Sequence, residues 1–339
     1  MRRRTLLSAS AGLALAAPVF AHADAVSITG AGSSFPNSVY KKWIELARAA
    51  GVADVTYQPV GSGGGQTKIL AGDVNFGVSE MPMADEMKQT ADLVQFPAVI
   101  GGVVCVANVP GLAANQLKLD GELLAAIYVG KIKKWNDPKI AQANKGVSLP
   151  DMDIAPVYQR DLIGTTFVFT QYILAANADW REKHGPRITK RWAVGSNVDG
   201  NIFMGDTIKT VPGSIGYMDF NTAISNNYPT VRLLNRAGQH VAPAVPNFTA
   251  AAANANWAKA KDLVVSLINQ PGDQSWPITT PSYVQMPRKP QTPAHGEAIR
   301  KFFDFAFSKG QEAAAQSNLV ALPTAAQTAV RTLWAGLGA

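Results

Sequence analysis

The chain has 339 residues, enough at ~150 per domain for two compact units, and its 47% hydrophobic content can fill two cores. Only 16% of residues are charged, with 29 Gly and 21 Pro, which excludes a coiled coil, a collagen or a wholly disordered chain and favours many short elements joined by ordered turns. The formal charge of +7 overstates the basicity of the working protein, because part of it sits in a leader. Met1–Arg4 supplies three arginines, Thr5–Phe20 is small and apolar, and Ala21-His22-Ala23 is an A-x-A cleavage site, so residues 1–23 read as a signal peptide. Arg3-Arg4-Thr5-Leu6-Leu7 fits the twin-arginine pattern as well as an ordinary secretory leader. Removing the leader lowers the formal charge to +4 and takes away the main support for a nucleic-acid partner. Lys131–Lys134 beside Trp135 then reads as a solvated turn. After Ala23 no apolar run reaches the ~20 residues of a bilayer span, and no cysteine near the cleavage site can carry a lipid. The expected product is soluble, exported and unanchored.

In chain order, Gly30–Phe35 is a short Gly/Ser loop, followed by an apolar stripe at helical spacing, Val39, Tyr40, Trp43, Ile44 and Ala47, that stops at Gly51. Val55–Gln58 alternates as a strand and runs into Gly61–Gly65, after which Gln66–Ala71 is helical in composition. Phe76–Ser79 is a second short strand, and Val99–Ala107 reads as a buried strand bounded by Pro97 and Pro110. Its Cys105 has no second cysteine to pair with and reads as a buried, inert thiol. From about Gly121 to Asp219 the chain has its own helices, Glu122–Tyr128 and Thr165–Ala175, and its own strands, Ile154–Val157 and Ser214–Met218, as a second domain would. Glu297–Ser308 and Ala326–Trp334 are helical again, and the Pro-rich stretches Ala242–Asn247 and Met286–His295 are either linkers or ordered loops. Strands alternating with helices make this an α/β protein.

Little here is enzyme-like. His184, His240 and His295 have no metal-ligand spacing, and neither a nucleophile elbow nor a P-loop occurs; Gly61–Gly65 has Gln66 where a dinucleotide fingerprint needs its third glycine. No cofactor is expected. Three loops, Gly30–Phe35, Gly61–Gly65 and Gly164-Thr165-Thr166, each precede a helix, where backbone N–H groups and the helix dipole favour an anion. The hydroxyls of Ser33, Ser34, Ser62 and Thr165 add donors, although Gly, Ser and Thr are also ordinary turn formers and N-caps.

Gly30–Pro36, Tyr57–Gly65, Phe96–Val104, Ile127–Trp135, Phe167–Thr170, Pro212–Tyr217, Trp276–Thr279 and Lys301–Asp304 together resemble the periplasmic phosphate-binding proteins of bacterial phosphate ABC importers, in the family's order and over nearly the whole mature chain. The resemblance implies a periplasmic binding protein fold, two α/β lobes joined by a hinge. Lobe I would comprise residues 24–100 and 280–339, and lobe II residues 101–279. It further implies capture of inorganic phosphate between the lobes, delivery to membrane permease subunits, no catalysis, a monomer and no nucleic-acid partner.

Carried over by residue, the resemblance places Ser34, Phe35 and Ser62 at the ligand from one lobe and Gly164 and Thr165 from the other. It also marks departures. Gln159 stands where the family has a phosphate-clamping Arg, Ile163 where it has a Ser donor, and Leu162 where a small residue is common, while Asp161 is kept. Glu80 stands where an Asp accepts a proton from hydrogen phosphate, and Phe203 puts a ring in a Gly-Asn-x-Gly turn. Two alternatives follow: Arg160 replaces the missing guanidinium, or Gln159, Ile163, Glu80 and Phe203 rebuild the cleft for another small ligand, less charged or more apolar.

Overall fold

The computed structural model of the chain describes residues 26–159, 163–184, 192–257 and 260–337. The leader lies outside them, as do Arg160, Asp161 and Leu162. The described chain opens with β1 (Ser27–Gly32), α1 (Asn37–Ala49), β2 (Asp54–Gln58), α2 (Ser62–Ala71), β3 (Phe76–Ser79), α3 (Asp85–Thr90) and the long β4 (Leu93–Ala107). A middle section follows: β5 (Lys118–Leu119), α4 (Gly121–Tyr128), α5 (Pro138–Ala143), β6 (Ala155–Gln159), α6 (Gly164–Ala176), α7 (Ala178–His184), β7 (Ser196–Val198), α8 (Gly200–Thr210), β8 (Ser214–Asp219), α9 (Phe220–Ser225), β9 (Arg232–Leu234), β10 (His240–Val241) and α10 (Val245–Ala253). The chain returns through β11 (Thr279–Pro287), α11 (Pro293–Lys309), α12 (Gln311–Ala315), β12 (Val320–Ala321) and α13 (Thr324–Ala335).

The main sheet runs β2-β1-β3-β11-β4-β8-β6-β7, with β12 added on β4, and a small sheet has the order β10-β9-β5. β1 pairs in parallel with β2 and β3, while β6 pairs in parallel with β7 and β8. These two parallel groups are tied together by β4, whose Leu93–Gly102 part pairs with β11 and whose Val103–Ala107 part pairs with β8. The molecule is thus two α/β lobes sharing one long strand. Aromatic packing differs on either side of it. Phe303 of α11 meets Tyr40, Phe76 and Phe96 at ring distances of 5.4–6.0 Å, so the C-terminal helix completes the core begun by the N-terminal strands. On the other side Phe169 of α6 stacks on Tyr217 of β8 at 4.2 Å, beside Tyr128 and Trp192.

One expectation is corrected. The buried strand does not start after Pro97 but at Leu93, and Pro97 lies inside it. The register against β11 slips there, with Ser282 opposite Val99 and Tyr283 opposite Pro97; a bulge is where a sheet tolerates a residue without an N–H. Of the two readings of the Pro-rich stretches the ordered one holds, since Val245 begins α10 and Met286–His295 joins the end of β11 to the start of α11. The reading of Lys131–Lys134 as surface agrees with an exposed Lys134, whose ammonium pairs with Asp151 at 2.6 Å.

Candidate functional site

In a parallel sheet, ligands collect beyond the carboxyl ends of the strands, where the loops lead into helix N-termini. β1 ends before Ser33, β2 before Ser62, β3 before Glu80, β6 at Gln159 and β8 at Asp219. Helix α2 starts at Ser62 itself, earlier than Gln66, so the glycine-rich segment is the first turn of the helix and not a loop ahead of it. Gly65 allows that turn to lie on the sheet, because a Cβ there would stand 2.5 Å from the Gly32 Cα.

Glu80 is the centre of the arrangement and is 1% exposed. Its Oε2 accepts hydrogen bonds from Ser33 Oγ at 2.6 Å and Ser62 Oγ at 2.8 Å. Ser33 Oγ in turn accepts from the Phe35 backbone N–H at 3.0 Å, and Tyr57 Oη donates to the Ser33 carbonyl at 2.6 Å. The lobes meet at this carboxylate: a Cβ on Gly164, the first residue of α6, would lie 2.1 Å from Glu80 Oε2 and 2.5 Å from Ser62 Oγ. Neither α2 nor α6 has a side-chain cap, the N-cap residues being Gly61 and Ile163. Two helix N-termini without side-chain caps therefore begin beside one buried carboxyl. Burial pushes the Glu80 carboxyl above the usual carboxylate range, and the hydroxyls of Ser33 and Ser62 pull it part of the way back. Ser282 also lowers it from close by, without an aligned bond, since its Oγ has no partner among the described residues.

Lobe II contributes a second polar chain. Gln159 Nε2 donates to Thr165 Oγ1 at 3.2 Å and to Asn201 Oδ1 at 2.8 Å, and Asn201 Nδ2 donates to Asp219 Oδ2 at 2.5 Å. Asp219 also caps α9 by accepting from the Thr222 N–H, and burial raises its carboxyl above the ordinary value. The Gln159 N–H is held by Tyr217 Oη, itself bonded to Thr166 Oγ1 at 2.9 Å. At the site Glu80 Oε1, Gln159 Oε1 and Ser282 Oγ are buried without a partner among the described residues.

Of the residues expected at the site, the structure brings Ser62, Glu80 and Gly164 into contact and joins Gln159 to Thr165. Phe35 is buried and contributes its N–H to Ser33, whereas Ser34 is exposed, so the hydroxyl on Glu80 from this loop is that of Ser33. Ile163 is half-buried as the N-cap residue of α6. Phe203 departs from expectation: helix α8 turns it outward and leaves it 60% exposed, next to Ile202 at 72%. The apolar rebuilding of the cleft loses that support. Asn201 and Asp219 were not singled out as site residues, although a Gly-Asn turn and an Asp three residues before a Thr were both visible in the sequence. A crevice of about 200 Å³ lies beside Glu80, between Phe167 of α6 and Thr280 and Tyr283 of β11, below the ~300–1,000 Å³ usual for organic ligands. A larger cleft of about 530 Å³ near Asp120, Lys139 and Trp180 shares no lining residue with it. Among the described residues no cluster of His, Cys, Asp and Glu could hold a metal ion.

Lobes joined through one sheet, with uncapped helix N-termini converging at their seam, define a two-lobed solute-binding protein. The PBP superfamily domain matches residues 18–309. The solved structure of a high affinity periplasmic phosphate-binding protein (PfluDING) with phosphate bound has the same fold, at a TM-score of 0.71 and 21% identity over 90% of this chain and 93% of that one. Phosphate-binding protein PstS of Pasteurella multocida is 42% identical, over 92% of this chain and 90% of its own length. The protein of the same name from Haemophilus influenzae is 41% identical over 92% of this chain and 93% of its own. The chain belongs to the PstS family of the PBP superfamily.

Proposed function

We propose that the chain captures inorganic phosphate between its lobes and delivers it to the permease of an ABC importer. The observation that carries this reading is the pair of uncapped helix N-termini, those of α2 and α6, meeting at one buried point with an oxyanion already between them. The Glu80 carboxyl occupies the kind of cradle that a phosphate oxygen requires, two hydroxyls from lobe I beside the start of α6 from lobe II. The names of the relatives support the same ligand.

In this reading residues 24–100 and 280–339 form lobe I, residues 101–279 form lobe II, and β4 and β11 carry the hinge between them. Ser33, Phe35 and Ser62 act from lobe I, with Ser34 exposed beside them, and Gln159, Ile163, Gly164 and Thr165 act from lobe II, with Glu80 between the two sets. Closure over phosphate gives the permease a loaded shape distinct from the empty one. The leader at residues 1–23 delivers the protein to the periplasm, by the twin-arginine or the general route, where it works as a monomer without catalysing a reaction. Isothermal titration of the ligand-stripped mature protein with phosphate at pH 6.5 tests the ligand. A saturable one-to-one heat is expected, with no release of nitrophenol from p-nitrophenyl phosphate; absence of heat up to millimolar phosphate in folded protein refutes the reading.

A further inference from the structure

Resting on the reading of this site as a phosphate cradle, we infer that the segment Asp262–Ile268 is a strap that gates the crevice beside Glu80, and that Lys88 latches it shut. The strap is a third stretch of chain passing between the lobes, beside β4 and β11. At its start Asp262 lies on lobe I, where its Oδ2 pairs with the ammonium of Lys88 in α3 at 3.3 Å. At its end Ile268 bridges to Ile278, whose carbonyl accepts from the Val103 N–H at the point where β4 changes partner from β11 to β8. In the middle both backbone groups of Val265 are held by one hydroxyl: Tyr283 Oη accepts from its N–H at 3.2 Å and donates to its carbonyl at 3.0 Å. β3 pairs with β11 from Tyr283 to Gln285, so the strap takes up its place along β11 where β3 stops and Glu80 begins.

Val264–Ile268 form one wall of the crevice of about 200 Å³, with Glu80 and Pro82 of lobe I and Phe167 and Gln171 of α6 among the others. The segment alternates as a strand does, Val265 and Leu267 buried and Ser266 exposed, so a single layer of chain stands between the crevice and solvent. The bend at its start is strained. Asp262 and Leu263 stand in succession at φ of +50° and +58°, a region that Asp visits readily and Leu rarely. Such a bend persists only where partners hold it, and Lys88 is the partner suited to the task. Its side chain is buried to 7% exposure, so the ammonium is already aimed and loses little freedom on pairing, and it holds Asp85 of its own helix at 3.0 Å as well. Strain at the bend favours release and the ion pair opposes it, which is the balance a gate needs. A latch of this kind, made alike in the empty and the loaded protein, sets how fast the ligand passes and leaves the affinity as it was.

The test is Asp262→Asn in the mature protein, with inorganic phosphate as the probe. Asn accepts the left-handed bend as readily as Asp, the side chain is half-exposed, and Lys88 keeps Asp85, so the variant removes the latch and spares the fold. Stopped-flow tryptophan fluorescence gives the association rate, and chasing labelled phosphate with an unlabelled excess gives the dissociation rate. Expected are both rates faster by the same factor of about 2 to 5, the range an ion pair of this exposure supports, with Kd unchanged. Hydrogen exchange should quicken at Val264–Ile268 and stay as it was in β11, and added salt should speed dissociation from the parent more than from the variant. Rates equal to those of the parent overturn the inference. So does faster dissociation with association unchanged, which would make the pair a clamp on the closed lobes instead of a gate; both results leave the phosphate reading standing. A folded parent that binds no phosphate up to millimolar concentration sinks both.

Discussion

Gly164→Ala separates lobe closure from folding. The added methyl would lie 2.1 Å from Glu80 Oε2, 2.5 Å from Ser62 Oγ and 2.9 Å from Glu80 Cβ, all of them on the opposite lobe. The carboxyl cannot simply rotate away, because Ser33 and Ser62 hold it at 2.6 and 2.8 Å and it is buried. Overpacking of this kind costs about 1–3 kcal/mol, or roughly a 5- to 150-fold loss of affinity for a ligand enclosed by closure. Within its own lobe the substitution is benign, since Ala is a better helix former than Gly at the start of α6. The expectation is therefore weaker phosphate binding by calorimetry, a larger radius of gyration by X-ray scattering, and a melting temperature equal to or above that of the parent. An unchanged Kd and an unchanged scattering profile would show that Gly164 does not set the lobe seam, and the contact with Glu80 would lose its role.

Stability should also depend on pH in a definite direction. The folded-state carboxyls of Glu80 and Asp219 lie above their ordinary values, so the folded chain holds protons that the unfolded chain has released. Their contribution is full below the unfolded carboxylate range and is lost as pH rises towards the folded values. Urea midpoints of the ligand-free protein should fall from pH 4.5 to 7.5, and Glu80→Gln should remove part of that fall; a midpoint that rises over the range for both chains contradicts the assignment. Cys105 is fully packed in β4, and burial pushes its thiol up, so Ellman's reagent should label it only at the unfolding rate. Rapid labelling of native protein would place it at a surface.

Much of lobe I could be read directly. The alternation at Val55–Gln58 and the apolar stripe from Val39 to Ala47 became the elements their spacing predicts, whereas the glycine-rich segment became the first turn of α2. What failed was local logic applied to residues whose conformation is set by partners distant in sequence. Pro97 is a strand breaker by propensity, and only the slip of β11 against β4 explains how it stays inside the strand. Ser33 and Ser34 are adjacent hydroxyls in one loop, and which of them reaches Glu80 depends on the trajectory after β1, not on composition. Phe203 follows a Gly-Asn turn that invites close approach, yet Gly200 starts a helix and its winding carries Asn201 to Gln159 and Phe203 to solvent. The Asn201–Asp219 bond spans two elements and has no sequence signature beyond its ends.

The two departures at the centre of the site are best understood as one. By resemblance, relatives pair an Arg with an Asp, whereas this chain has Gln159 and Glu80 at those positions, with Arg160 next in the chain. The longer carboxylate compensates internally by reaching the hydroxyls of Ser33 and Ser62, but that does nothing for an incoming anion. A charge ~4 Å from the carboxylate costs about 4 kcal/mol at an effective dielectric of 20, and a dianion meets that repulsion twice. Protonating the ligand instead costs about 1.4 kcal/mol for each pH unit above its ionisation. A dianion in this seam therefore needs either a cation beside Glu80, for which Arg160 next to Gln159 is the candidate in the sequence, or a proton of its own.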